Sequence, residues 1–169
     1  MAVIHPNGLK KKRKKSRDGS TERQAEAIKD KIEKLRRLER HAFRPRHGKT
    51  DFHEYLKGIY NAWDWTDAKA SARVGRRVAA LCEVQMRAGN SPIRVVIDAT
   101  SKEGRQTKSR WTRALEYAVA KGARGTAFKR FLKNNGGAFG CAQEMAKLQN
   151  QLRRKKSKPK RRKRSNLWA

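Results

Sequence analysis

The chain has 169 residues and carries 45 Lys and Arg against 15 Asp and Glu, a formal net charge of +30. Its longest apolar run, Val78–Cys82, falls far short of the roughly 18 residues of a membrane span and of the roughly 7–15 of a signal core. Its two cysteines, Cys82 and Cys141, form no C-x-x-C pair, which excludes a disulfide scaffold or a zinc ribbon and fits a reducing compartment.

The first twenty residues hold Lys10, Lys11, Lys12, Arg13, Lys14, Lys15 and Arg17 against a single acid, Asp18. Like charges repel and bury no apolar surface, so residues 1–19 are expected to be a disordered basic tail. From Ser20 to Ala42 the chain reads as a helix, with Thr21 and Gln24 in capping-box spacing and a narrow apolar seam at Ala25, Ile28, Ile32, Leu35, Leu38 and Ala42. Such a seam permits two arrangements: a surface helix packed on its own domain, or a homodimer through residues 21–42. Pro45 and Gly48 mark a linker over 43–49. There Gly48-Lys49-Thr50 imitates the end of a phosphate-binding loop, but the first glycine of that motif falls at Phe43, which rejects it.

Thr50 or Asp51 then caps a second helix, with Asp51 and Glu54 in capping-box spacing, Phe52, Leu56, Ile59 and Trp63 on one face and Tyr55, Tyr60 and Trp65 beside it. Aromatic residues stack on unpaired bases, yet at helical spacing they form core, and core is the expectation here. Thr66 and Asp67 start a third helix that is expected to run to Arg87, stopping at Ala88, Gly89 and Asn90 and grouping Arg73, Arg76 and Arg77 on its surface. Ile93, Val95, Val96 and Ile97 have high β-propensity, but Ser91-Pro92 is a good helix start and no second strand exists to pair with, so a short helix is expected over 91–100. A polar loop follows over 102–108.

Ser109 opens a helix with Trp111, Ala114, Leu115 and Ala118 inward and Arg110, Arg113 and Lys121 outward. After Gly122 and Gly125, Thr126 caps another, apolar at Phe128, Phe131 and Leu132 and basic at Lys129, Arg130 and Lys133. Asn134 to Gly137 make a turn into a last helix through Phe139, Cys141, Ala142, Met145 and Leu148. Residues 152–169, expected to be a second disordered tail, hold Arg153, Arg154, Lys155, Lys156, Lys158, Lys160, Arg161, Arg162, Lys163 and Arg164 and no acid. With +6 at one end and +10 at the other removed from +30, +14 remains on residues 21–151, so the body is basic as well.

Residues 109–151 form a trihelical unit in which a helix-turn-helix is conceivable, with Gln143, Lys147, Gln149, Asn150 and Gln151 as the polar residues of the second helix. Gly137-Ala138-Phe139-Gly140 matches the G-x-x-G loop of KH domains, but its middle residues are apolar where that loop is basic. His5, His41, His47 and His53 make no ligand set with the cysteines, although His47 and His53 are close in sequence across the second helix start. Asp64 with Asp67, and Asp98 with Glu103, are better explained by capping and surface pairing than by catalysis. No nucleophile sits in a recognisable motif, and the expectation is a protein without cofactor, metal or enzymatic activity.

Ser109-Arg110-Trp111-Thr112-Arg113-Ala114-Leu115-Glu116-Tyr117-Ala118, with Phe131-Leu132-Lys133-Asn134-Asn135-Gly136-Gly137 and Cys141-Ala142, resembles a pattern in small uncharacterised proteins of plasmids and mobile elements in soil and root-nodule bacteria. The resemblance implies a bacterial accessory protein and assigns no catalytic residues. The two long basic ends depart from that pattern.

Together these readings give an all-α fold, a small multi-helix domain over 20–151 between basic tails. They give a nucleic-acid-binding function, DNA favoured over RNA, through phosphate contacts from the tails and helix faces. Its place would be the bacterial cytoplasm and nucleoid. The alternatives are an RNA-associated or ribosome-like structural protein, or a host-directed protein whose clusters at 10–15 and 160–164 serve as nuclear import signals.

Overall fold

The computed structural model describes residues 12–43, 52–87, 89–123 and 125–157, with side chains for all but 12–21 and 156–157. In chain order these are α1 (Lys12–Ala42), α2 (Phe52–Ala62), α3 (Ala68–Cys82), α4 (Pro92–Thr100), α5 (Arg105–Ala120), a 3-10 turn (Gly125–Ala127), α6 (Phe128–Asn134) and α7 (Gly137–Ser157). No strand occurs among the described residues, and the chain is all-α.

The stretch with strand propensity is helical. Ser91 sits at the N-cap of α4 with extended backbone, and Pro92 follows inside the first turn, where its missing N–H costs nothing. Ile93, Val95, Val96 and Ile97 are all buried. A helix covered on nearly every side satisfies its backbone internally, which a lone strand cannot do.

Four boundaries differ from expectation. Helix α3 ends at Cys82, five residues before Arg87, because Glu83 turns left-handed (φ 54°) and the N–H groups of Glu83 and Val84 both close on the Ala79 carbonyl. Helix α5 starts at Arg105, not Ser109, so most of the expected 102–108 loop is helix, and its first bond runs from Lys108 N to Gly104 O. The expected tail boundaries at residues 20 and 151 lie inside helices: α1 begins at Lys12 and α7 continues to Ser157. Lys and Arg are good helix formers, and prolonging an existing helix avoids the cost of nucleation. The rest of each basic end lies outside the described residues, as do 44–49 of the expected linker and the expected cap at Thr50 or Asp51.

Helix α2 is the centre of the core. Its Tyr55, Leu56 and Ile59 are fully buried among Ile28, Ile32 and Leu35 of α1, Val78 of α3, the apolar face of α4, Leu115 of α5 and Phe128 of α6. Full burial of side chains of this size stabilises by about 1.5–3 kcal/mol each. The aromatic residues of this region are core, as expected. Trp111 lies within 6.0 Å of Phe43, Phe52 and Tyr55, and Trp65 Nε1 donates to Ile59 O at 3.0 Å. The Tyr55 and Thr100 hydroxyls share a buried hydrogen bond of 2.7 Å, and burial pushes the Tyr55 phenol well above its ordinary range.

Of the α1 seam, Ile28, Ile32, Leu35 and Ala42 are buried within the chain against α2, α3 and α4, and Ala25 and Leu38 are half-buried. Beyond the seam, α1 holds the joint between α4 and α5 by polar bonds. Arg36 Nε and Nη2 donate to Ala99 O at 3.1 and 3.0 Å, and the buried Glu39 carboxylate accepts from Lys102 N at 2.9 Å. Elsewhere contact depends on the absence of a side chain. Helices α3 and α4 meet at Gly75, where a Cβ would lie 3.1 Å from Pro92 Cβ. Helix α7 packs on α5 through Ala138, Cys141 and Ala142.

Candidate nucleic-acid interface

Two reading frames for chemistry close when the helices are in place. The paired acids are structural: Asp67 accepts from Lys69 N and Ala70 N at 2.8 and 3.2 Å and caps α3, and Asp64 accepts from Thr66 N at 2.9 Å. Hydrogen bonds from Thr66 hold the Asp64 carboxyl below its usual value. The Gly137–Gly140 segment is the first turn of α7 and not a loop. Gly140 is there for space, since a Cβ would come within 2.0 Å of the Asn135 carbonyl oxygen. Among the described residues no three of His, Cys, Asp and Glu converge as a metal site. His53 stacks on Phe52 at 4.4 Å, whereas His5 and His47 lie outside the described residues. Cys141 is buried, and that burial raises its thiol to about 11.

The basic residues named from sequence divide by position. Lys10, Lys11, Lys160, Arg161, Arg162, Lys163 and Arg164 are outside the described residues. Lys12, Arg13, Lys14, Lys15 and Lys156 lie on helical backbone, in α1 and α7. Those on the body are all exposed: Arg110 and Arg113 on α5, Lys129, Arg130 and Lys133 on α6, and Arg153, Arg154 and Lys155 on α7. Lys129 is partly neutralised, its Nζ 2.6 Å from Glu54 Oε1 of α2. Arg73, Arg76 and Arg77 are exposed on α3, as the spacing predicts.

Helices α6 and α7 are joined through Asn135 and Gly136, the latter at φ +74°. On α7, Gln143, Lys147, Asn150 and Gln151 are exposed and Gln149 is half-buried. Lys147 is bonded to Glu144 at 2.7 Å, which raises its affinity for a proton. The residues expected to read bases therefore face outward, which is necessary for a recognition helix but common to any surface helix.

Sequence reading missed two features. Phe139, placed on the apolar face of the last helix, is 56% exposed, and the Arg110 guanidinium lies over its ring at 5.5 Å. An outward aromatic ring beside a cation is a surface on which a base can stack. The second feature is a polar cleft of about 410 Å³ where the α3–α4 connection meets α4 and α5. It is walled by Arg87, Asn90, Arg94 and Arg105, with Asp98 between them. Asp98 is held by Arg94 Nε at 2.8 Å and Lys108 Nζ at 3.4 Å. The four-residue step from Arg94 to Asp98 is visible in the sequence, but placing Arg87 and Arg105 beside it requires the true ends of α3 and α5. Comparison with known protein families, curated proteins and solved structures finds no match for this chain.

Proposed function

We propose that this chain is a nucleic-acid-binding protein that acts stoichiometrically, by phosphate contacts from its basic ends and from exposed cations on the helical body. The observation that carries the reading is the distribution of charge. Within residues 21–151, α3 carries a net +4 and α5 and α6 +3 each, and the exposed Arg153, Arg154 and Lys155 extend α7 beyond them, while many of the body's acids are engaged in caps and ion pairs. A surface of this kind attracts a polyanion at long range and holds it by counterion release. Cations spread over several helices suit the extended phosphate lattice of a duplex, which favours DNA. The bacterial accessory role implied by the resemblance, with action at the nucleoid, belongs to the same proposal.

One observation favours the second reading, an RNA-associated protein: the exposed Phe139 with its Arg110 neighbour serves unpaired bases better than a closed duplex. Fluorescence-anisotropy titration of the full chain against random duplex DNA, single-stranded DNA and structured RNA, at several salt concentrations, separates the two. Tightest binding to duplex with a steep salt slope is the expected result. Preference for RNA establishes the second reading, and weak binding to all three overturns both and leaves the charge to localisation or an acidic protein.

A further inference from the structure

We propose that the cleft between the α3–α4 connection and α5 is a site for a phosphate monoester on a nucleoside, taken either from a free nucleotide or from the 5′ end of a nucleic-acid strand. The inference goes beyond the electrostatic binding proposed above, because it concerns one shaped cavity and not the basic ends.

Charge is the first argument. Among the described residues Arg87, Arg94 and Arg105 line the cleft with one acid, Asp98, and Asp98 is already shared by Arg94 and Lys108. Arg87 and Arg105 at the rim are exposed and together match a dianion. A guanidinium presents a planar fork that suits phosphate oxygens, and two of them suit a terminal phosphate better than a backbone diester with its single charge.

The backbone adds to this. Arg105 is the first residue of α5, a helix of 16 residues with no acid in its first turn and with Gly104 as a cap that supplies no side-chain bond. The positive end of that helix therefore lies beside the same rim. The rim also carries Ser109, one turn further along α5.

Size and lining then select the ligand. A volume of about 410 Å³ lies within the range of small-molecule sites and exceeds what a bare phosphate fills. Asn90 and Gln85 offer amide groups toward the remaining space, which fits the hydroxyls of a sugar. Among the described residues no aromatic ring lines the cleft, so the base is not stacked on one of them and its identity matters little. Asp98 has its own role: by tying Arg94 and Lys108 it keeps that wall in place before any ligand arrives, which lowers the cost of binding.

The test uses the full chain. Isothermal titration with adenosine and cytidine 5′-monophosphates should give similar affinities, and the corresponding nucleosides should not bind. Replacing both rim arginines (Arg87→Gln with Arg105→Gln) should weaken monophosphate binding by about tenfold or more without shifting the thermal unfolding midpoint. The pair Arg130→Gln with Lys133→Gln, on α6, should leave monophosphate binding unchanged. Equal monophosphate binding by the wild type and the rim variant overturns the proposal, as does an equal loss in the α6 variant. Absence of monophosphate binding together with equal affinity for 5′-phosphorylated and 5′-hydroxyl forms of one oligonucleotide also overturns it. If the monophosphate binds, preference for the phosphorylated oligonucleotide assigns the site to strand ends, and no preference assigns it to free nucleotide. Loss of random-duplex binding with monophosphate binding intact would sink the general reading while leaving this one standing.

Discussion

Helices α1 and α7 carry the two basic ends into the fold, and they are fastened in different ways. Helix α1 lays an aliphatic seam on α2 and adds directional polar bonds, from Arg36 to Ala99 O and from Lys102 N to Glu39. Helix α7 lies on α5 through small residues, Ala138, Cys141 and Ala142, and enters its first turn through Gly140 pressed on Asn135. Polar bonds fix register and tolerate changes of size nearby, whereas close packing of small residues tolerates almost no added volume. The same task, holding a cationic arm on a helical body, can thus be met by chemistry at one end and by shape at the other.

The comparison is tested most severely through binding. Removal of residues 152–169 deletes ten cations, and removal of residues 1–20 deletes seven with one acid. At about 0.9 in the log–log salt slope per phosphate neutralised, full engagement predicts losses of up to about 9 and about 6 respectively. Anisotropy titrations across salt should therefore rank the C-terminal deletion as the larger, with unrelated duplex sequences affected alike. An equal effect of the two deletions would mean that the ends do not act in proportion to their charge.

Gly140→Val comes next. Its Cβ would collide with the Asn135 carbonyl oxygen, a backbone atom that cannot swing aside, and a loss of about 3 kcal/mol or more in chemical denaturation is expected. Glu39→Ala should cost about 1–3 kcal/mol, since it strands the Lys102 N–H near a buried site. If Glu39→Ala proves neutral, the polar fastening of α1 is decorative and the contrast fails.

Smaller effects probe the surface. Changing Gln143 and Lys147 together to Ala should leave random-duplex affinity within about twofold, because one exposed charge already paired with Glu144 is removed. Abolition of a sequence preference in the same variant would assign base reading to α7. The smallest expected change is at Glu116, whose carboxyl is raised chiefly by burial, with Ser91 and Arg113 pulling the other way. A raised folded pKa favours the protonated fold, so this group's contribution falls as pH rises through the raised value and is a penalty at neutral pH. Glu116→Gln should therefore stabilise by a few tenths of a kcal/mol at pH 7 and by less near pH 4, as read from unfolding midpoints.

Most of the fold was legible because its helices obey simple local rules. Asp67 announces α3 and Ser91-Pro92 announces α4, and the seams of α1 and α2 follow helical spacing. What escaped lies at helix ends that no strong capping residue marks. The end of α3 depends on a left-handed Glu83, a residue with no preference for that conformation. The start of α5 follows Gly104, a cap that supplies no side-chain bond, so no capping residue announces it. Those two ends place Arg87 and Arg105 at one cleft, so the errors in boundary and the missed cavity have a single origin. Phe139 escaped for a related reason: periodicity put it on the apolar side of α7, but its position relative to α5 leaves the ring outside.

The bond from Lys102 N to Glu39 has a consequence in time as well as in energy. That amide lies between α4 and α5, yet its acceptor belongs to α1, 63 residues earlier. Its hydrogen can exchange with solvent only when the first helix lets go, so its exchange rate reports on the undocking of α1. Should the Lys102 amide exchange as slowly as those of α5, the first helix and the C-terminal helices open as a single unit. A much faster rate would identify α1 as a separate, earlier-opening layer of the protein.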